Sequence, residues 1–156
     1  MSKRLLSTSY AVTLVGLLLA FAPARAEGPA ADVHEGGGTR MVLSTSKTVT
    51  DEPIRYPTGA PAKITAVEIT LAPGQQTGWH IHPVPLFGYI LEGELTVDYG
   101  PHGKRIYRQG EGLAEAMNEA HNGRNSGARP VRILAVFIGA EGIADTVPSS
   151  PPPRRP

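Results

Sequence analysis

The chain of 156 residues has no cysteine, a single tryptophan and no large excess of either charge. Without thiols it has no disulfide scaffold, no thiolate metal site and no cysteine nucleophile, so any metal ion must be held by histidine or oxygen ligands. Its 15 basic and 14 acidic residues form no basic cluster, which argues against a nucleic-acid partner. Glycine and proline, at 18 and 15 residues, are by contrast abundant and indicate a turn-rich structure.

Residues 1–26 have the three parts of a secretory signal peptide. Two basic residues, Lys3 and Arg4, precede an apolar run, and the run ends at the small residues Ala24 and Ala26 of a cleavage site. The run holds about 11 residues, which is too short for a membrane span of roughly 20. We therefore predict cleavage after Ala26, export to the periplasm or out of the cell, and no membrane attachment of the mature chain.

Two further segments at the ends differ in composition from the rest of the chain. Residues 27–39 are small and Gly-rich, which predicts a flexible leader. Residues 143–156 hold several prolines, including three in a row at 151–153. Such a segment favours extended or disordered chain, so we predict a tail that stays outside the packed core. A single domain at 40–142 remains, which is a usual domain length.

Residues 40–142 have the period of two, or the short apolar runs, that are typical of β-strands. In one of these runs Val67, Ile69 and Leu71 alternate with polar residues, and we expect them on a buried face. Residues 112–121 have helix-forming composition, but their position between strands favours extended chain. An all-β sandwich or small barrel is therefore predicted. The predicted strands are 63–72, 87–91, 95–99, 104–108 and 131–138.

His80 and His82 are two residues apart, directly after a Pro-Gly turn. On a strand such residues project from one face, so both imidazoles converge, while Trp79 and Ile81 are expected to pack on the other face. Two convergent neutral imidazoles are a typical start for a divalent metal site. By itself this pair also fits a solvated strand face.

The spacing around this pair resembles the two motifs of the cupin superfamily. Of the first motif, G-x5-H-x-H-x3-E-x6-G, the chain has Gly74, His80, His82 and Gly93. Of the second, G-x5-P-x-G-x2-H-x3-N, it has Gly110, His121 and Asn125, while Ala116 and Asn118 replace the proline and the glycine. The resemblance covers about residues 64–138 and implies an antiparallel jelly-roll barrel, the double-stranded β-helix of a small single-domain cupin.

The resemblance also implies a metal site inside the barrel. Cupins bind their metal through the histidines and glutamate of the first motif and the histidine of the second, which correspond here to His80, His82 and His121. A divalent ion is implied, with iron as the first expectation and copper, nickel, zinc or manganese as alternatives. The position of the family's glutamate is Leu86, which cannot bind a metal.

Three interpretations of the leucine remain open at this point. In the first interpretation the site has three histidine ligands, like that of the cupin thiol dioxygenases and some diketone-cleaving relatives. Alternatively, Glu115 replaces the missing carboxylate. Glu115 could equally orient a ligand histidine through its far ring nitrogen, or be an exposed strand residue. In the third interpretation the site is metal-free and the histidines line an apolar pocket.

The other candidate residues are expected to have structural or solvated roles. His34 and His102 lie in segments that predict solvent exposure. The tyrosines, among them Tyr99 and Tyr107, are expected to pack in the core or at its rim. Asn125 is expected to form structural hydrogen bonds in the second motif.

The leading hypothesis is an exported cupin that catalyses oxygen-dependent oxidation of a small anionic chelating molecule at a three-histidine metal site. Leu86 would then shape the substrate pocket. The competing classes are a metal- or ligand-binding protein without turnover and a metal-free structural cupin. Many cupins dimerise through an edge strand, and residues 40–50 would suit such pairing, so a homodimer is a further expectation.

Overall fold

The computed structural model describes residues 38–153. The signal peptide at 1–26 and nearly all of the leader at 27–39 lie outside these residues, so both remain predictions. The described chain folds as nine β-strands with a 3₁₀ turn at Gly100–His102, and it holds no helix of a length and hydrophobicity that would span a bilayer. The strands are β1 Ala62–Leu71, β2 His80–Ile81, β3 Leu86–Glu92, β4 Glu94–Asp98, β5 Lys104–Arg108, β6 Gly112–Ala114, β7 Asn122–Arg124, β8 Val131–Ala140 and β9 Val147–Pro148.

The strands form two antiparallel layers around one core. One layer has the strand order β1-β8-β3-β6 and the other β5-β4-β7, while β2 pairs with β9. Isolated bridges between Gln76 and Arg124 and between His80 and His121 join the β2–β9 pair to the β7 edge. This double-layered arrangement confirms the predicted all-β jelly-roll barrel.

The five predicted strands are all present, with bounds within two residues of those expected. Residues 112–121 form no helix, because β6 occupies 112–114 and irregular chain leads on to β7. Extended chain was expected at His80–His82 and over residues 112–121, but alternation gave no bounds for the strands β2, β6, β7 and β9. Each has only two or three residues, which is too short to show a period.

The core takes alternate residues from both layers. In β8, the residues at every second position from Val131 to Phe137 are buried, because β8 is flanked by β1 and β3 and one of its faces lies inside the barrel. Ile90 of β3 and Val97 of β4 pack in one cluster with Val131 and Ile133, whereas Ala135 and Phe137 pack in a second cluster. Burying an aliphatic side chain of this size contributes about 1.5–3 kcal/mol.

Strand β1 is less buried than its alternation suggested. Leu71 is buried and Ile69 partly so, but Val67 is 39% exposed and Ile64, on the other face, is 71% exposed. The reason is position in the sheet: β1 is an edge strand that pairs with β8 alone. Periodicity identifies a strand but does not show whether a neighbour covers it.

Residues 40–50, expected as a free edge strand for dimerisation, lie along β6 of the same chain. The Val49 N–H donates to the Ala114 carbonyl at 2.8 Å, and Arg40 donates to the Tyr89 hydroxyl at 3.0 Å. The segment forms no strand and makes only one isolated bridge, from Lys47 to Pro53. It is therefore engaged within its own chain, and the homodimer remains a prediction.

The expected passive tail is corrected by the structure. The described residues of this segment, 143–153, fold back along the barrel, where β9 pairs with β2 and the Ser149 N–H donates to the Trp79 carbonyl at 2.9 Å. Proline removes only its own donor, so the residues between prolines can still pair with a sheet edge. The Pro-rich composition correctly indicated extended chain. It could not show that this segment pairs with the edge of β2.

Two motif glycines with the same backbone angle should respond differently to alanine. Gly74 and Gly93 both have φ of +80°, which costs an alanine about 1–2 kcal/mol. A Cβ at Gly74 meets nothing within 4 Å, whereas one at Gly93 lies 2.6 Å from the Pro130 carbonyl oxygen. We expect Gly93→Ala to lower the free energy of unfolding by about 1–3 kcal/mol more than Gly74→Ala. Urea denaturation of both variants measures this difference, and equal losses would contradict it.

Candidate metal centre

Three histidine rings converge inside the barrel because of a short stretch of backbone pairing. The His80 N–H donates to the His121 carbonyl at 3.1 Å and the His121 N–H donates back at 3.0 Å. Strand alternation turns His82 towards the same space as His80. The ring centroids are 4.5–5.0 Å apart, and one nitrogen of each ring lies within 4.8 Å of the other two. The structure thus brings together all three histidines of the sequence prediction.

The Nδ1 atom of each ring lies against a backbone carbonyl. The three contacts are His80 to Gly78 at 2.8 Å, His82 to Asp145 at 2.9 Å and His121 to Glu119 at 2.9 Å. A carbonyl oxygen can only accept, so each Nδ1 donates and each Nε2 keeps a free lone pair. This is the tautomer in which metal-binding histidines are held.

Burial favours the uncharged form of these rings. It is the main cause that lowers the pKa of His80 and His121, and it lowers the pKa of His82 to about 3. The hydrogen bonds to the backbone carbonyls oppose this effect but do not reverse it. The rings are therefore neutral at neutral pH, as metal ligands must be.

A divalent ion fits this group of nitrogens. His121 Nε2 is buried and has no hydrogen-bond partner among residues 38–153. Leaving a buried polar atom unpaired costs about 1–3 kcal/mol, and a metal ion would occupy its lone pair. Three imidazoles suit iron, copper, nickel or zinc better than magnesium or calcium.

Glu115 lies beside the histidines, directly after β6. One carboxylate oxygen accepts from the Ala116 N–H at 2.8 Å, and the other is 4.0 Å from His121 Nε2. Burial raises the pKa of Glu115 to about 7, although the hydrogen bond from the Ala116 N–H opposes this. Glu115 is therefore not an exposed strand residue. Because His121 Nδ1 bonds to Glu119, Glu115 does not orient that ring through its far nitrogen but lies on the metal-facing side.

Leu86 belongs to the wall of the site. Its side chain is buried in a cluster with Val84, Ala135 and Phe137, and the Phe137 ring stands edge-on to His82 at 5.3 Å between centroids. The position of the family's carboxylate is therefore filled by an apolar surface, and no ligand atom is present there.

The histidines open into a cavity of about 310 Å³ between the two layers. Its wall is mostly apolar, and its polar groups are the three histidines, Glu115 and two threonines, Thr77 and Thr146. No lysine or arginine lines it among the described residues. The apolar residues are Ile69, Trp79, Leu86, Gly88, Leu95, Val97, Leu113, Gly123, Ile133, Ala135, Phe137 and Pro148.

Comparison with known families identifies the domain that contains these residues. The family model described as a cupin domain matches residues 67–137, a range that contains both histidine motifs. The chain contains a cupin domain. The comparison with curated proteins finds no match.

The chain is also similar to several solved structures, of which the first one below supports the same fold. A DMSP lyase of Ruegeria pomeroyi is 24% identical with a TM-score of 0.50, over 56% of this chain and 44% of its own. An oxalate decarboxylase of Lactobacillus farciminis is 21% identical with a TM-score of 0.48, over 55% of this chain and 26% of its own. The cupin domain of a transcriptional regulator of Enterobacter cloacae is 27% identical with a TM-score of 0.42, over 49% of this chain and 81% of its own. This cupin thus spans less than half of the two enzymes, and the likeness concerns the fold.

Trp79 lies on the cavity side of this cupin, where the sequence predicted the opposite face. It lines the cavity beside His80 and His82, while Ile81 does not. Strand β2 begins only at His80, so alternation does not extend back to the tryptophan. The expectation was wrong because it assumed a longer strand.

Glu52 supports the site and was not found by sequence reasoning. Its carboxylate accepts from the backbone N–H groups of Met117 at 2.9 Å and Asn118 at 3.2 Å, in the loop that leads to His121. The Thr50 hydroxyl donates to the same carboxylate at 3.0 Å. Glu52 and Met117 are 65 positions apart in the sequence, and no motif or period connects them.

We expect Glu52→Ala to destabilise the cupin by about 2 kcal/mol, because it leaves two backbone donors without their charged acceptor. Glu94→Ala is the control, since Glu94 makes only an exposed ion pair with Arg108 at 3.2 Å and should cost less than about 1 kcal/mol. Urea denaturation of the two variants gives the comparison. A Glu52→Ala loss no larger than that of the control would show that the carboxylate does not hold the loop.

Proposed function

We propose that this cupin is a metal-dependent enzyme that holds one divalent ion, iron in the first instance, through Nε2 of His80, His82 and His121. Its reaction is the oxygen-dependent oxidation of a small anionic chelating substrate. One observation carries the proposal: three histidine rings, of which His82 and His121 are buried, bring one nitrogen each within 4.8 Å of the others, and a backbone carbonyl on each Nδ1 leaves Nε2 free of a proton. The predicted signal peptide places this reaction outside the cytoplasm.

The charge of the ligand set favours an anionic substrate. Three neutral histidines leave the full 2+ charge of the ion uncompensated, and Leu86 adds no charge where many relatives have a carboxylate. When bound, the ion supplies a Lewis acid with open positions for substrate and oxygen. The apolar wall keeps water out, which strengthens electrostatic attraction in the site.

The wall of the cavity narrows the class of substrate. No lysine or arginine among the described lining residues could pair with a second anionic group, and burying an unpaired charge is costly. The substrate is therefore a compact molecule with one chelating anionic head and an apolar body. A volume of about 310 Å³ is at the lower end of the range of small-molecule sites.

Glu115 is the residue that can exchange a proton with such a substrate. Its carboxyl is buried beside His121, with one oxygen 4.0 Å from His121 Nε2, and it lines the cavity in which the substrate would bind, which is the position that a general acid or base requires. The Ala116 N–H, which donates to the carboxyl at 2.8 Å, holds Glu115 in place for the transfer.

Oxygen consumption by the reconstituted protein tests this function. The exported protein is reloaded without oxygen with iron, copper, nickel, zinc or manganese, one ion at a time, and then given oxygen and chelators with apolar bodies, such as β-diketones or thiol carboxylates. We expect oxygen uptake with one ion and one chelator class, and a strong reduction in Glu115→Gln. Binding of metal and chelator without oxygen uptake would make the protein a binding module, and a failure to bind any ion would overturn the metal site itself.

A further inference from the structure

The geometry points to the C-terminal strap, defined as residues Asp145–Pro153, as an integral part of the metal centre. We propose that the strap positions His82 for metal binding and forms the outer wall of the cavity. This inference rests on the proposed metal site. It assigns a positioning role to a segment whose composition alone suggests only a loose tail.

His82 depends on the strap in a way that the other two histidines do not. The carbonyl partners of His80 and His121 are Gly78 and Glu119, each only two residues away, so local backbone sets those rings. The partner of His82 Nδ1 is the Asp145 carbonyl, 63 residues away. The His82 ring therefore has its proton and orientation fixed only when the strap is docked.

The strap also closes the cavity. Thr146 and Pro148 line the metal cavity together with Trp79, and the Trp79 carbonyl accepts from the Ser149 N–H at 2.9 Å. Trp79 lines a second, outer cavity of about 570 Å³ as well, whose wall includes the prolines 151–153. The indole and the strap thus separate the metal cavity from a groove that opens outwards.

The docking of the strap uses few hydrogen bonds and a close proline contact. Strand β9 has only two residues, and both are exposed. Further along, Pro152 packs on Gly100 so closely that a Cβ at Gly100 would overlap the proline ring. An ion pair of 3.9 Å from Lys63 to the Asp145 carboxylate adds a contact at the other end. The Gly100–Pro152 contact can be removed without touching any histidine.

Two glycines of one turn give a matched pair of variants. Gly100 begins the 3₁₀ turn between β4 and β5 and Gly103 follows it, with φ of +58° and +83°. Alanine is strained at both positions, but only at Gly100 does the new Cβ meet the strap, since a Cβ at Gly103 meets nothing within 4 Å. Gly100→Ala therefore displaces the strap, and Gly103→Ala controls for backbone strain.

Two kinds of measurement on the whole protein distinguish the positioning of His82 by the strap from a general loosening of the fold. The first is the rate at which a chelator removes zinc, together with the visible absorption spectrum of the cobalt-loaded protein, which reports the geometry of the ligands. The second is acrylamide quenching of Trp79, the single tryptophan of the chain, in the metal-free protein. We expect Gly100→Ala to lose zinc about tenfold faster or more, with an altered cobalt spectrum and stronger quenching, and Gly103→Ala to resemble the wild type.

The outcomes distinguish a failure of the strap proposal from a failure of the proposed metal site. If Gly100→Ala matches Gly103→Ala in zinc loss, cobalt spectrum and quenching, the strap has no such role and the inference fails. If the wild type binds neither zinc nor cobalt, the proposed function and the positioning of a metal ligand both fail, and quenching alone decides whether the strap is a wall. Should Gly100→Ala not fold, truncation after Ser150 removes Pro152, which packs on Gly100, without adding an atom. The same results are expected of the truncated protein.

Discussion

Replacing His121 with alanine is expected to abolish stoichiometric metal binding by this cupin. The change removes one of three ligands, and the site has no carboxylate at Leu86 to compensate. Losing a residue that merely orients a ligand already costs 10–100-fold in affinity, so losing a ligand should cost more than about 100-fold. Elemental analysis of protein purified without chelating columns, followed by titration with zinc, measures the effect.

His102→Ala is the control for this experiment. His102 is of the same residue type, but its side chain is 37% exposed and pairs with the Glu119 carboxylate at 3.7 Å on the surface. It should leave metal content and affinity unchanged. Circular dichroism shows whether His121→Ala still folds. Full metal content in a folded His121→Ala protein would refute the three-histidine site.

Replacing Asn125 with alanine is expected to give one of the largest losses of stability in the protein, about 2–4 kcal/mol. The Asn125 side chain is fully buried. Its amide donates to the carbonyls of Leu71 at 2.9 Å and Arg129 at 2.8 Å, and its oxygen accepts from the Gly127 N–H at 2.9 Å. Alanine leaves all three backbone groups without a partner. The midpoint of urea unfolding measures the loss.

Two further variants show whether hydrogen bonding is the cause. Asn125→Asp keeps an acceptor for Gly127 but turns a second acceptor towards two carbonyls, so it should destabilise at least as much as alanine. Asn122→Ala removes a more exposed amide, bonded to the Gln76 side chain at 3.0 Å, and should cost less than about 1 kcal/mol. If Asn125→Asp is as stable as the wild type, the donor contacts do not hold the loop.

The burial of Glu115 could not be predicted from the spacing of the motifs. The sequence left it as a ligand, an orienting residue or an exposed strand residue. Its burial, and its position 4.0 Å from His121 Nε2, follow from which strands enclose the end of β6. Spacing along the chain carries no information on that enclosure, because the enclosing residue Tyr99 comes from the other layer.

The sequence by itself determined the elements and ligands that depend on local spacing. Alternation, which reflects the period of two in a strand, together with short apolar and β-branched runs, identified the five longer strands. The same period, with the motif around His121, located the three histidines, and the leucine at position 86 showed that the family's carboxylate is absent. The glycines at 74 and 93 were identified by the motifs as well, because sharp turns need a positive φ.

Only the tertiary structure decided what surrounds those ligands. The Asp145 carbonyl on His82, the Glu52 carboxylate beneath the loop to His121 and the position of Trp79 all depend on contacts outside the motifs. Two of them join residues more than 60 positions apart, and such contacts leave no periodic trace in composition. A Pro-rich segment looks disordered on its own because it lacks donors and a core of its own. It becomes part of the site because the folded barrel presents the edge of β2, the carbonyl of Trp79 and the bare surface of Gly100 for it to pack on.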